Sequence, residues 1–315
     1  MADQPLVSII IRARDEEKAL RKLLPILKRQ EGDFEYEIWL LDNESRDTTA
    51  EVAEQYSVCH HIIPRDQFNY ASALNLGAQL ARGTILVYLS AHCFPQGEHW
   101  LSHLIGPLRY DLGAVATYGR QRFDPGRHPY EAEGNDSLFP ADPMDRTVVA
   151  FSNANCATRK AVVLKYPFNP HIKILEDHLF FLEVSPHYRF EYVPAALVHH
   201  EHSEFSMRYY LRRWGEEGWA FHFIAYHRHL SSYYRPDHLL CLRNLLGYLA
   251  LGHKLYGRGR RKVGLLTVPF FLLRDILWCW GWVKGTLSYA RTAIQDRDFL
   301  AKVLRNGLGD GDQAL

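Results

Sequence analysis

Leu6-Val7-Ser8-Ile9-Ile10-Ile11, running into Arg12-Ala13-Arg14-Asp15-Glu16-Glu17, is the stretch on which the fold turns. An almost unbroken apolar run of this length suits a strand buried on both faces, and an abruptly polar segment ends it. The period then changes. From Glu16 to Gln30 the apolar residues Leu20, Leu23, Leu24 and Leu27 recur at helical spacing. Tyr36 to Leu41 reads as a second strand and Asp47 to Tyr56 as a helix. Val58 to Ile63 is a third strand, Asn69 to Ala81 a helix ended by Arg82-Gly83, and Thr84 to Leu89 a fourth strand. This alternation predicts an α/β fold, a parallel sheet with helices on both faces. Ligands of such sheets bind beyond the carboxyl ends of the strands, so the polar residues there are the functional candidates.

Two nucleotide-binding classes lose support at once. No Gly-x-Gly-x-x-Gly follows the first strand, and no Gly-Lys-Ser/Thr loop occurs. Residues 122–147, rich in Pro, Gly and Asp, read as a long irregular segment of the kind that carries function. Charge is unevenly divided. Residues 206–315 hold 17 Lys/Arg against 8 Asp/Glu, a local +9, while residues 1–205 hold 20 against 28, a local −8. Such a basic piece on an acidic body suggests an anionic partner for the piece. Five widely spaced cysteines, Cys59, Cys93, Cys156, Cys241 and Cys279, show no zinc or redox spacing and read as reduced thiols. With Asp3 running straight into a strand, no leader is expected, and the chain reads as cytoplasmic.

The second strand ends in Asp42-Asn43-Glu44-Ser45-Arg46-Asp47-Thr48 and the fourth in Ser90-Ala91-His92-Cys93. Together with Arg14-Asp15-Glu16, this succession resembles the second family of inverting glycosyltransferases. There the first strand runs into Asn/Asp-Glu, the second ends Asp-x-x-Ser-x-Asp-x-Thr, and the fourth ends in a metal-binding Asp-x-Asp. The resemblance continues through Phe68-Asn69-Tyr70, Asn75-x-Gly77, Ala81-Arg82-Gly83, Pro95, Trp100-Leu101, Tyr118-Gly119-Arg120-Gln121, Glu176-Asp177-His178 and His200-Glu201-His202. It covers about residues 5–220, and its later members look like bacterial rhamnosyltransferase-type enzymes of surface polysaccharide synthesis. It implies a GT-A-type, Rossmann-like mixed sheet flanked by helices in residues 1–205. Residues 206–315 would form a basic, mainly helical extension.

The resemblance also implies roles. Asp42 would hold the nucleoside, with Arg12, Arg14, Glu16, Asn75, Ser90 and Ala91 around the donor; alternatively Asp42 and Asp47 cap the following helix. Asp-x-Asp is replaced by Ser90-Ala91-His92, which leaves His92 as a nitrogen ligand for a divalent cation, manganese or magnesium. His200 and His202 point to one side of a strand and would complete that site; the other reading is a metal-free site in which cationic histidines face the diphosphate. Asp177 would be the catalytic base, against a simpler reading of Glu176-Asp177 as acids favoured at a helix start. Glu176, Arg120, Gln121, Asn153, Asn155 and Trp214 would line the acceptor site.

Lys254, Arg258, Arg260, Arg261 and Lys262 precede an apolar, tryptophan-rich stretch, Val263 to Trp282, broken by Arg274 and Asp275. The break argues against a membrane span and for an interfacial helix on an anionic membrane, with packing on the catalytic domain or on a second copy, a homodimer, as the alternative. Nucleic acid is not an expected partner. The combined expectation is a transferase moving a sugar from a nucleoside-diphosphate sugar to a lipid-linked or polysaccharide acceptor. The rivals are a non-catalytic nucleotide-sugar or glycan-binding relative and a sugar nucleotidyltransferase, which lacks the glycine-rich basic loop it needs.

Overall fold

The computed structural model describes residues 6–111, 113–123, 138–145, 151–201 and 212–220, with positions 273, 276, 277, 279–281, 283 and 284. The first four strands and three helices arise where the periodicity places them. β1 (Val7–Ala13), β2 (Tyr36–Asp42), β3 (Cys59–Ile62) and β4 (Ile85–Ser90) alternate with α1 (Glu17–Lys28), α2 (Thr49–Gln55) and α3 (Tyr70–Leu80). α1 buries Leu20, Leu23, Leu24 and Leu27, the four leucines at helical spacing. α3 starts at Asn69, whose side chain accepts the Ser72 N–H at 3.0 Å, an N-cap that satisfies an otherwise unpaired donor.

After β4 the chain departs from a purely parallel plan. β5 (Cys93–Pro95), α4 (Trp100–Tyr110), β6 (Ala114–Phe123), β7 (Asn155–Arg159), α5 (Lys160–Lys165), α6 (Glu176–Val184) and β8 (Arg189–His200) follow. The sheet has eight strands in the order β3-β2-β1-β4-β7-β6-β8-β5. β3, β2, β1 and β4 are parallel, β7 is antiparallel to β4 and β6, β6 is parallel to β8, and β5 is antiparallel to β8. The mixed sheet flanked by helices is therefore the α/β architecture that the resemblance implies.

Because side chains alternate along a strand, β1 feeds two cores. Val7, Ile9 and Ile11 join α1, α2 and α4 through Leu24, Val52 and Trp100. Ile10 joins α3, α5 and α6 through Leu74, Val163 and Phe180. The chain divides into two compact units. One comprises residues 1–170 and 176–205; the other comprises residues 171–175 and 206–315. In the second, described residues 212–220 are helical, and a Cβ on Gly281 would meet the Gly215 carbonyl, so two helices touch backbone to backbone there.

Candidate active site

β1, β2 and β4 run the same way, so their carboxyl ends share one rim. Ala13 is in register with Asp42, and Arg12 with Ser90. β7 starts back from that rim with Asn155 opposite Leu89, while β6 and β8 arrive there with Phe123 opposite His200. Residues far apart in the chain thus meet because strand direction leaves them nowhere else to end.

Asp42 is buried, and its carboxylate is held in place. Oδ1 accepts the Ser45 N–H at 2.9 Å and the Ser45 hydroxyl at 2.5 Å, and Oδ2 lies 3.3 Å from His60 Nε2. Helix capping is left to neighbours. Thr48 flanks α2, and the Asp47 carboxylate accepts N–H groups of Thr49 and Glu17 at 3.0 Å each, tying α2 to α1. Burial alone would raise the Asp47 pKa, but the hydrogen bonds from Thr49 and Glu17 outweigh it and hold the carboxyl below its ordinary value. The loops after β1 and β2 are stitched together: Asp15 N–H donates to Ser45 Oγ at 2.9 Å, and Asp15 Oδ1 accepts the Arg46 N–H at 2.7 Å. Sequence reasoning missed His60. Its signal was its place two residues before Ile62, which is in register with Asp42 at the end of β2.

Other donor-side candidates are occupied. Asn75 clasps the backbone of Phe168, Nδ2 to O at 2.8 Å and Oδ1 from N at 2.9 Å. Ser90 N–H donates to Ala154 O at 3.3 Å, Ala91 is buried, and Arg14 is exposed, 3.9 Å from Asp15. Arg12 is engaged by Glu176 at 3.1 Å and by the Tyr70 carbonyl at 3.3 Å.

The β5–β8 pairing sets Cys93 opposite His200 and lets Glu201 N–H reach His92 O at 2.9 Å. His92 and His200 therefore stack, with ring centroids 5.1 Å apart and planes 26° from parallel. Each ring is held at Nδ1: His92 by Glu16 Oε1 at 3.3 Å, His200 by Gln121 Oε1 at 2.9 Å. A side-chain oxygen at each Nδ1 is how outer carboxylates and amides orient metal-binding imidazoles. Among the described residues no group of three or more His, Cys, Asp or Glu side chains is placed to hold an ion. The two imidazoles are donors of a kind that fits a divalent cation, short of a cage made by protein alone. His202 lies outside the described residues.

Glu176 and Asp177 open α6, directly after Leu175, whose φ of 62° is left-handed. Asp177 is partly buried; Oδ2 accepts the Asn153 N–H at 3.1 Å and Oδ1 the His178 N–H at 2.8 Å. Burial and the adjacent Glu176 push its pKa up to about 6, against those N–H groups and Arg12. A carboxylate titrating there is matched to taking a proton at neutral pH. Asn153, whose N–H holds Asp177, keeps a buried Nδ2 without a partner, as do Arg120 Nε and Gln121 Nε2 on β6, the kind of group that substrate oxygens satisfy. Asn155 is engaged within the fold: Nδ2 donates to Arg120 O at 3.1 Å and Ala196 O at 2.9 Å, and Oδ1 accepts Trp100 Nε1 at 3.1 Å. Trp214 is buried and belongs to the second unit.

Known proteins share this architecture. Mannosyltransferase PcManGT from Pyrobaculum calidifontis, solved with GDP-Man and Mn2+, superposes with a TM-score of 0.56 at 15% identity, over 99% of this chain and 89% of its own. S. aureus TarS superposes with a TM-score of 0.55 at 15% identity, over 95% and 88%. Identities this low carry the fold, GT-A, and no more. Glycosyltransferase AglE of Haloferax volcanii is 32% identical over 109 residues, 33% of this chain and 36% of AglE. The 4,4'-diaponeurosporenoate glycosyltransferase of Staphylococcus haemolyticus is 34% identical over 122 residues, 37% and 29% of the two chains. The matched stretch thus spans about a third of the length of each of these curated relatives. Residues 8–167, just over half of the chain and the part that holds β1 to β7, match the model for glycosyl transferase family 2, and the chain belongs to that family.

Proposed function

We propose that this glycosyltransferase inverts configuration, moving a sugar from a nucleoside-diphosphate sugar to a hydroxyl of a lipid-linked or polysaccharide acceptor in cell-surface glycan synthesis. The observation that carries the reading is Asp177, a partly buried carboxylate poised near neutrality at the rim that also carries Asp42 and the stacked histidines. Inversion by one displacement needs a base on the acceptor hydroxyl, and Asp177 is suited to take that proton as the bond to the anomeric carbon forms. Asp42, already locked by Ser45, is an acceptor for N–H or O–H groups of base or ribose. A bound manganese or magnesium ion, held by His92 and His200 with Glu16 and Gln121 behind them, would neutralise the diphosphate leaving group. The Mn2+ and GDP-Man of the mannosyltransferase neighbour support that choice of ion and donor class. Asn153, Arg120 and Gln121 offer donors to substrate oxygens.

The site of action we propose is the cytoplasmic face of a membrane. No helix among the described residues is long and apolar enough to cross one. Leu273, Ile276, Trp280 and Val283 recur at helical spacing and are all exposed, on the unit whose residues 206–315 carry a charge of +9. Both features suit reversible contact with anionic lipid, where a lipid-linked acceptor would lie.

The test is a panel of UDP-, GDP- and dTDP-sugars with Mn2+, Mg2+ or chelator, using wild type and His92→Ala. Turnover of at least one sugar is expected, lost in chelator and lost in His92→Ala with the fold intact, with product of opposite anomeric configuration. Full turnover in chelator removes the cation; retained configuration removes the single displacement; no turnover of any sugar leaves a binding protein.

A further inference from the structure

We infer that Arg12 is a positioning residue for Asp177, acting through Glu176, and not a ligand of the donor's diphosphate. The inference deepens the proposed function and rests on Asp177 being the base. It begins from strand geometry. Ile10 faces the core that contains α3 and α6, so Arg12, two residues on, leaves β1 on the same face. There its Nη1 lies 3.1 Å from Glu176 Oε1 and 3.3 Å from the Tyr70 carbonyl, and its guanidinium lies over the Tyr70 ring, 5.1 Å from the centroid. One side chain thus joins the end of β1, the first residue of α3 and the first residue of α6. The side chains are well shielded, Arg12 18% and Glu176 8% exposed. Among the described residues, Glu176 is the acid at bonding distance from Arg12.

The need for such a clamp follows from sequence order. Glu176 and Asp177 are consecutive, so two carboxylates start the same helical turn with little water to screen them. Two like charges in such a place cannot both ionise readily unless one is paired. Arg12 pairs Glu176 and leaves the Asp177 oxygens to the N–H groups of Asn153 and His178. Among the described residues, the groups facing Asp177 are Glu176 and the His178 N–H from α6, the Asn153 N–H ahead of β7, Arg12 from β1 and the Cys156 thiol from β7. Removing Arg12 leaves Glu176 buried and unpaired, so it must take a proton or swing out, and the first turn of α6 that holds Asp177 moves with it. An exposed arginine kept for diphosphate would show neither the bidirectional engagement nor the shielding.

The experiment separates turnover from nucleotide affinity, using the nucleotide sugar that wild type turns over fastest in the panel above. Calorimetry with UDP and GDP, each with Mn2+, reads affinity. Arg12→Met is expected to lower kcat at least about tenfold while leaving the better nucleotide's Kd within about threefold. Adding Glu176→Gln to Arg12→Met should recover most of the lost kcat, because the unpaired charge is gone with its partner. Arg12→Lys, which keeps the charge, should stay within about fivefold of wild type and shows that the site tolerates substitution. A Kd weakened tenfold or more in Arg12→Met makes Arg12 a diphosphate ligand and overturns the inference. A double variant no faster than Arg12→Met overturns it too. If Asp177→Asn turns over normally, the base assignment fails and the inference with it; if Asp177→Asn is dead but the double variant does not recover, only the Arg12 role fails.

Discussion

The surroundings that raise the Asp177 pKa act at some cost to the fold. Burial and Glu176 make its ionised form less comfortable in the folded chain than in water, which is why the pKa is pushed up to about 6. The folded state therefore binds this proton more tightly than the unfolded state does. The contribution is favourable at low pH and is lost as pH rises through about 6. Three consequences can be measured together. Turnover should fall about tenfold per unit as pH drops below about 6, since only the ionised carboxylate takes a proton. Asp177→Asn should lower turnover by roughly 10²–10⁴-fold with nucleotide affinity nearly intact. The same variant should gain on the order of 1 kcal/mol of stability at pH 8 by urea unfolding, as the awkward charge is removed. Collapse of nucleotide affinity instead would move Asp177 to the donor site. A loss of stability at pH 8 would mean that the charged form is welcome, contrary to its surroundings.

At the scale of elements, several motifs of the resemblance fasten the fold. Asn75 clasps the backbone of Phe168, and Gly77 lets Ile10 pack so close that a Cβ there would stand 2.7 Å from Ile10 Cγ2. Arg82-Gly83 closes a lock at the end of the sheet away from the rim. The Glu37 carboxylate accepts the Ser8 hydroxyl at 2.7 Å, the Arg82 N–H at 2.6 Å and Arg82 Nε at 2.9 Å, and Gly83 N–H donates to Ser8 Oγ at 2.8 Å. Burial would raise the Glu37 pKa, but these hydrogen bonds prevail and hold it below the ordinary value. Its contribution is thus present at neutral pH and lost as pH falls through that depressed pKa. Glu37→Gln should cost about 1–3 kcal/mol at pH 7, the usual penalty for leaving buried partners unsatisfied, with a smaller loss near pH 3. An equal loss at both pH values would show that charge plays no part. Gly119 is a fastening of another kind. A Cβ there would lie 2.1 Å from Ala196 O and 2.4 Å from Asn155 Nδ2, so the bulged β6–β8 pairing and the Asn155 strut both require glycine.

For the whole molecule, the charge division and the exposed apolar row on residues 273–283 lead to one expectation. The protein should float with liposomes rich in acidic lipid and not with neutral ones, and less so in high salt, because attraction between exposed charges is screened. Replacing Lys254, Arg258, Arg260, Arg261 and Lys262 with Gln should reduce the floated fraction, each near-surface charge contributing about 1 kcal/mol. If neither lipid charge nor those replacements alters flotation, the row is a packing or dimerisation face, and sedimentation would then show a dimer.

Period alone determined the first half of the fold. Buried strands and leucine-bearing helices alternate in local sequence, and local hydrophobic pattern is what decides them. The candidate base and metal-side histidines were chosen on residue type and order in short motifs, Glu176-Asp177, Ser90-Ala91-His92 and His200-Glu201-His202. Tertiary structure alone decided how those pieces act. That His92 stacks on His200 depends on β5 pairing with β8, a contact across most of the domain. That Arg12 meets Glu176, His60 meets Asp42 and Asn155 is consumed by carbonyls depends on which faces the strands turn to one another. Hydrogen bonds form over a few ångströms in space, whatever the separation in sequence, and only the assembled sheet says which donors and acceptors are already taken.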